Sequence, residues 1–175
     1  MHLDLATLEA ALPQLRQAPG DHGRLEMIVR RPDIDEREVV AEADLDPSAG
    51  LVGDSWQQRG TPDPERQLTL MNSRAVALLA GSPERWPLAG DQLYVELDLS
   101  ADNVPAGTRL AIGEAVVEVT AAPHRGCKKF AARYGLDALR FVNSETGYAL
   151  KLRGVNAKVV TAGTIRTGDP VTKVG

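Results

Sequence analysis

The sequence of 175 residues contains a single cysteine, and that scarcity excludes several chemistries at once. One cysteine forms no internal disulfide, and without a CxxC pair the chain builds neither an iron–sulfur cluster nor a Cys-rich zinc site by itself. A reducing compartment follows as the expectation. Histidine is also sparse, at positions 2, 22 and 124, and nothing in that spacing resembles the H-E-x-x-H pattern of a zinc enzyme. No GxGxxG follows a candidate strand and no GxxxxGK[ST] occurs, so neither a dinucleotide fold nor a P-loop is indicated. Long apolar runs are missing: a membrane helix needs roughly 18–20 such residues. The start, Met-His-Leu-Asp-Leu-Ala-Thr-Leu-Glu, lacks the cationic, apolar character of a secretory signal. The expected location is cytoplasmic, with no membrane partner.

What is present is ordinary for one globular domain. Apolar residues make up 43% and charged residues 25%, a balance too apolar for a disordered chain. Leu5, Leu8, Leu12 and Leu15 recur at helical spacing, so residues 1–20 are read as an N-terminal helix that Pro13 kinks or interrupts. From Leu25 the texture turns to short Val-, Ile-, Leu- and Thr-rich runs divided by Gly, Pro and Asp. Candidate strands are Leu25–Arg30, Val39–Leu45, Gln67–Met71, Gln92–Leu97, Thr108–Ile112, Ala115–Ala121, Asn156–Ala162 and Pro170–Val174. Gly113-Glu114 reads as a two-residue type II′ hairpin turn. Helices are expected at Asn72–Ala80 and Lys128–Asn143, the latter broken near Gly135, and Asp46–Pro64 as a long surface loop. The fold class that follows is mainly β, a barrel with a few helices over residues 25–174. Neither an internal repeat nor a second domain is visible.

Gly53-Asp54-Ser55-Trp56 has the look of a GDS-type serine hydrolase, but the chain has no Asp-x-x-His to supply the catalytic base. The tetrapeptide is read as a turn entering the loop.

Net charge is −4, which argues against generic nucleic-acid binding. The charge is uneven, however. Between Pro123 and Lys158 eight Lys and Arg face two acids, Asp137 and Glu145. Such a cluster either draws a small anionic ligand or simply solvates helix and strand surfaces. Cys127 lies inside it, in Pro-His-Arg-Gly-Cys-Lys-Lys-Phe, where a strand is expected to end and a helix to begin. Nearby cations and helix N–H groups favour thiolate, and Gly126 removes bulk beside the sulfur. Three uses fit such a thiolate. It attacks an electrophilic carbon with His124 as base, carries sulfur as a persulfide, or ligates a soft metal centre. The structural alternative is a small buried apolar residue.

A set of segments in order carries a resemblance. Gly50-Leu51-Val52-Gly53-Asp54, Gly90-Asp91-Gln92-Leu93, Leu97-Asp98-Leu99-Ser100 with Asn103-Val104-Pro105-Ala106-Gly107-Thr108-Arg109-Leu110, and Ile112-Gly113-Glu114-Ala115 through Thr120 lead to the Cys127 segment. Arg153-Gly154-Val155-Asn156-Ala157 and Gly168-Asp169 follow. Together these resemble the MOSC domain, the module related to the C-terminal part of molybdenum cofactor sulfurases. The resemblance implies a β barrel and a cysteine, here Cys127, that carries sulfane sulfur or ligates molybdenum held by the pterin of the molybdenum cofactor. His124 falls beside it, with Arg125, Lys128 and Lys129 next to the sulfur and Arg153 and Asn156 in the later motif. The basic side chains would hold the cofactor's phosphate. Some relatives reduce N-hydroxylated compounds with electrons from a separate protein, so the partner implied is an electron-transfer protein or a cysteine desulfurase-like sulfur donor. The family's frequent Pro-Cys is Gly126-Cys127 here, and no ferredoxin or pyridoxal-phosphate segment accompanies the module. Two other readings stand beside this one: a binding or adaptor barrel without chemistry, and a Cys127–His124 hydrolase or transferase.

Overall fold

The computed structural model describes residues 2–175. Among the described residues there are eleven strands: β1 (Gly23–Arg30), β2 (Glu38–Val40), β3 (Glu42–Asp46), β4 (Gly50–Leu51), β5 (Leu68–Asn72), β6 (Leu93–Glu96), β7 (Arg109–Ile112), β8 (Ala115–Val119), β9 (Val155–Thr161), β10 (Gly163–Arg166) and β11 (Pro170–Val174). The helices are α1 (Leu5–Ala10), α2 (Leu12–Leu15), α3 (Ser73–Ala80), α4 (Lys128–Tyr134), α5 (Leu136–Asn143) and α6 (Glu145–Ala149).

The main sheet runs β11-β7-β8-β9-β5-β6-β1-β2, and a further pairing of β11 with β1 closes seven of these strands into a barrel. β2 extends the sheet outside that ring. Within the barrel β5 and β6 run parallel, whereas the other pairs are antiparallel. A parallel pair needs a long crossover. α3 and a 3₁₀ helix at Pro83–Ala89 supply it.

Alternation along the strands divides the apolar residues between two cores. Ile28, Leu68, Leu70, Leu93, Val95, Val117 and Ala157 fill the barrel. Val29, Met71 and Tyr94 point outward and pack under α1 to α5 with Leu8, Val76, Phe130, Tyr134 and Phe141. The helices thus cover the β1–β6–β5 wall, the side on which the Cys127 segment lies. Among the described residues no helix is long and apolar enough to cross a membrane.

Several sequence expectations are met closely. Pro13 begins a new short helix rather than kinking one, because its ring fits the first turn. Gly113 has φ 54° while Glu114 does not share a positive φ, the backbone pattern of a II′ turn. Ala115, Val117 and Val119 are buried and Val116 and Glu118 only half so.

Others need correction. The expected strand Val39–Leu45 is two strands, β2 on the barrel and β3 in a separate sheet ordered β10-β3-β4. The break falls at Ala41, whose carbonyl accepts from the Thr167 N–H. The loop Asp46–Pro64 contains β4 and a 3₁₀ turn at Trp56–Gln58. Neither β10 nor α6 was anticipated. α6 starts at Ser144, whose hydroxyl accepts from the Gly147 N–H as an N-cap.

Candidate functional site

Beside β5, where Leu70 is paired with Leu93 at the start of β6 on one side and with Val155 at the start of β9 on the other, the segments that follow β1 and β8 and precede β6 and β9 converge on a cleft of about 240 Å³. Its wall includes Cys127 and His124, the apolar face of Phe130, and six cationic side chains: Arg31, Arg37, Arg59, Lys129, Arg133 and Arg153. Asp35 is the one carboxylate in that wall. Two further carboxylates lie buried behind it.

The first is Asp91, in the turn between the crossover and β6, with no exposed side-chain surface. It accepts from Arg153 Nη1 and pairs with His124 Nε2 at 2.9 Å. Burial pushes the carboxyl upward, but the charge of Arg153 and the bond to His124 outweigh it, and the pKa is held at about 2. His124 moves the other way from its ordinary value. Burial and the nearby Arg153 cation lower its pKa despite Asp91, so the imidazole is neutral at pH 7. Beside an ionised Asp91, Nε2 carries the proton and Nδ1 is left as an acceptor.

The second buried carboxylate is Asp54. It takes Arg31 bidentately at 2.9 Å through Nε and Nη2 and accepts the main-chain N–H of Arg31 and Trp56. Gln92 ties Asp54 to β5, donating to Asp54 at 3.3 Å and accepting from the Thr69 N–H and hydroxyl at 2.8 Å. Arg31 is thereby aimed into the cleft and fixed.

The remaining cations are less compensated. Arg133 reaches Asp35 at 3.7 Å. Arg37 donates to the carbonyls of Pro87 and Glu36, and Arg59 to the Ser55 hydroxyl. Burial and neighbouring arginines lower the pKa of both. Beneath them Arg153, 8% exposed, stacks over the Phe130 ring at 5.0 Å, and its Nε is buried without a partner. Positive charge is concentrated here beyond what the protein neutralises.

Cys127 stands before α4, exposed and free. Partial burial works against the thiolate, but the main-chain N–H groups of Phe130 and Lys129 and the charges of Arg153 and Arg133 prevail, so its pKa lies below the ordinary thiol value. Among the described residues no three His, Cys, Asp or Glu side chains group to hold a metal ion by themselves.

Of the residues singled out from the sequence, Cys127, His124, Lys129 and Arg153 share the cleft. Arg125, Lys128 and Asn156 stand apart from it. Arg125 stacks over the Tyr148 ring at 3.8 Å, Lys128 is exposed at the start of α4, and Asn156 is buried, donating to the carbonyls of Ala122 and Pro123. Asn156 therefore holds the loop that carries His124 and Cys127. The sequence does not single out Asp91, Arg31, Arg37 or Arg133 as members of the site, and it leaves open whether Arg59 in the long loop reaches it. For Asp91 a signal existed: an acid between a turn glycine and a strand that starts apolar faces inward and needs a cationic partner.

Solved structures with the same fold include YiiM from Escherichia coli, 21% identical, with TM-score 0.58 over 87% of this chain and 70% of that one. YiiM from Geobacillus stearothermophilus is 18% identical, with TM-score 0.59 over 87% and 75%. The YuaD protein from Bacillus subtilis is 16% identical, with TM-score 0.58 over 85% and 93%. No curated protein matches the sequence. The family model described as MOSC domain matches residues 50–172, from β4 to β11, and the chain therefore belongs to the MOSC domain family, a family associated with molybdenum-cofactor binding and sulfur transfer.

Proposed function

We propose that the cleft binds the molybdenum cofactor, with Cys127 as a soft ligand to the metal, and that the protein works as the cofactor-bearing part of a reductase of N-hydroxylated compounds. The observation that carries this reading is one exposed, acidified thiol in a wall with six cationic side chains. A pterin phosphate is an anion, and guanidinium groups match its oxygens. The residues present fit such a group. The unpartnered Arg153 Nε, Arg37 beside Arg133 and Arg31, and Arg59 beside Arg31 would each be relieved by an anion placed among them. Arg31, Arg37, Arg59, Lys129 and Arg153 would hold it, and the thiolate suits molybdenum, a metal that sulfur ligands select.

The bound group supplies the redox chemistry, and a separate electron-transfer protein supplies electrons. The chain's own residues bind and orient. Arg31 is locked by Asp54, Arg153 by Asp91, and the neutral His124, in the same wall as Cys127, keeps Nδ1 as an acceptor for a proton. Phe130 closes one side against water.

Sulfur relay is the second reading, and the exposure of Cys127 favours it as well. A cysteine desulfurase-like donor would load sulfane sulfur onto the thiolate, which needs access and no metal. A free thiol of this kind suits a reducing, cytoplasmic setting.

One experiment separates the two. The protein is purified from a host that makes molybdenum cofactor, and molybdenum and oxidised pterin per chain are measured beside Cys127→Ser. Near-stoichiometric molybdenum that falls with the substitution supports the cofactor reading. Absence of metal and pterin, with a persulfide on Cys127 by mass spectrometry after incubation with a sulfur donor, supports relay. An inert thiol in both assays overturns both.

A further inference from the structure

The segment that delivers Cys127 has no regular structure. From Ala122 to Cys127 the chain is neither helix nor strand, and among the described residues no main-chain to main-chain hydrogen bond joins Ala121–Gly126 to anything else. Such a segment moves freely unless side chains hold it. They do so here at nearly every residue. Arg66 and Asn156 donate to the Pro123 carbonyl, Asn156 also to that of Ala122, His124 is tied to Asp91, and Arg125 lies over Tyr148.

The residue next to the sulfur is held most completely. Asn143, the last residue of α5, accepts from the Gly126 N–H at 2.9 Å and donates through Nδ2 to the Gly126 carbonyl at 3.1 Å. One amide side chain thus satisfies both polar groups of that residue, as a neighbouring strand would. Gly126 is also pressed against the same helix. A Cβ built there meets Leu139 Cδ1 at 2.7 Å and Val142 Cγ2 at 3.0 Å, so any larger residue would have to push those side chains aside for the loop to keep its double bond to α5. Four residues after Asn143, in α6, comes Gly147, and then Tyr148, whose ring contacts both Arg125 and Lys151 at 3.8 Å. The α5–α6 pair therefore grips two consecutive residues, Arg125 and Gly126, immediately before Cys127.

We infer that Asn143, supported by Tyr148, is a positioning residue that sets where the Cys127 sulfur sits in the cation-lined cleft. It touches neither the thiol nor a ligand in the cleft. It acts through Gly126, by keeping the sulfur at the wall that Arg153 and Lys129 share. This inference rests on the reading that Cys127 carries the chemistry, yet its test requires neither molybdenum nor pterin, so the two fail separately.

Cys127 is the only cysteine, so thiol alkylation reports on it alone. The measurement is the ratio of alkylation rates with iodoacetate, an anion, and iodoacetamide, its neutral counterpart, on the full chain at one pH and low ionic strength. Facing the cations, the wild-type sulfur reacts preferentially with the anion, relative to a small-molecule thiol, by on the order of tenfold. Asn143→Ala is expected to lose most of that preference while thermal unfolding stays above the assay temperature. An unchanged ratio in a folded Asn143→Ala overturns the proposal, because loss of stability alone does not alter a charge preference. Should Asn143→Ala fail to fold, Tyr148 gives the same reading. Tyr148→Phe keeps a ring under Arg125 and is expected to keep the ratio, whereas Tyr148→Ala is expected to lower it. Equal ratios in these two variants then overturn the inference.

Discussion

Arg153 and Asp91, 62 residues apart in sequence, form a buried ion pair in which the carboxylate has no exposed side-chain surface. Removing Asp91 leaves the largely buried Arg153 guanidinium without its carboxylate, and removing Arg153 strands a fully buried carboxylate. Asp91→Asn is expected to destabilise the fold by roughly 3–5 kcal/mol, read from urea unfolding. Asp91→Asn combined with Arg153→Met, which removes both charges and keeps an unbranched side chain over Phe130, is expected to recover a substantial part. A double variant no more stable than Asp91→Asn would show that the lost stability lies elsewhere.

Acid acts on this cluster in two stages of the same sign. Asp91 has its pKa depressed from 3.8 to about 2, so its contribution is complete above the unfolded value and is lost as pH falls toward 2, a change of about 2 kcal/mol. His124 is depressed as well. Below pH 6.5 the unfolded chain takes up a proton that the folded imidazole resists, and stability drops from there downward. Stability measured by urea unfolding is expected to decline from about pH 6.5 and to steepen below pH 4. His124→Gln flattens the upper part. A wild-type curve level between pH 7 and 5 would refute the assignment for His124.

The approach of backbone to backbone behind the site makes Gly154 sensitive. Its φ is 118°, and a Cβ there lies 2.4 Å from the Leu70 carbonyl oxygen and 3.2 Å from His124 Cδ2. Both a strained backbone and a clash against main chain follow from any side chain. Gly154→Ala is expected to lower stability by about 2–4 kcal/mol, whereas Gly168→Ala, with φ 95° but open space around it, is expected to cost about 1 kcal/mol. Thermal denaturation of the two variants gives the comparison, and equal losses contradict it.

A cleft wall with six cationic side chains and one carboxylate is expected to attract small polyanions. At equal ionic strength pyrophosphate is expected to raise the unfolding temperature more than chloride does, following the ligand concentration as RT ln(1 + [L]/Kd) requires. Arg37→Ala combined with Arg59→Ala is expected to remove most of the difference and, in the absence of pyrophosphate, to leave stability within about 1 kcal/mol, since neither pairs with a carboxylate. The same rise in that variant would place the anion elsewhere.

The barrel was legible in the sequence because its signal is local. Alternation in Ala115–Val119, the Gly113 turn and the leucine spacing before Pro19 each belong to one short window, and each element formed where that window put it. Cys127, Lys129 and Arg153 were legible because the charge cluster is itself a run along the chain. What closes the site was not. Arg31 and Asp54 meet across 23 residues and Asp91 reaches His124 across 33, partnerships made by the curvature of a closed sheet that no periodicity records. Arg125 and Lys128 show the converse. Adjacency to Cys127 in sequence placed them with the sulfur, but one stacks on Tyr148 and the other opens a helix, where each turn of backbone carries neighbours apart.

The barrel is sealed by a narrow seam, in which β1 meets β11 through Gly23 opposite Val171 and Arg24 opposite Pro170. Those partners lie at nearly opposite ends of the sequence. Contacts of such long range form slowly. Arg31, just past the end of β1, and Arg153, ahead of β9, are linked through β6 and β5 and not through that seam. The wall that carries the cleft is thus built from strand pairings that the seam does not interrupt, and the seam can open without taking the cleft apart.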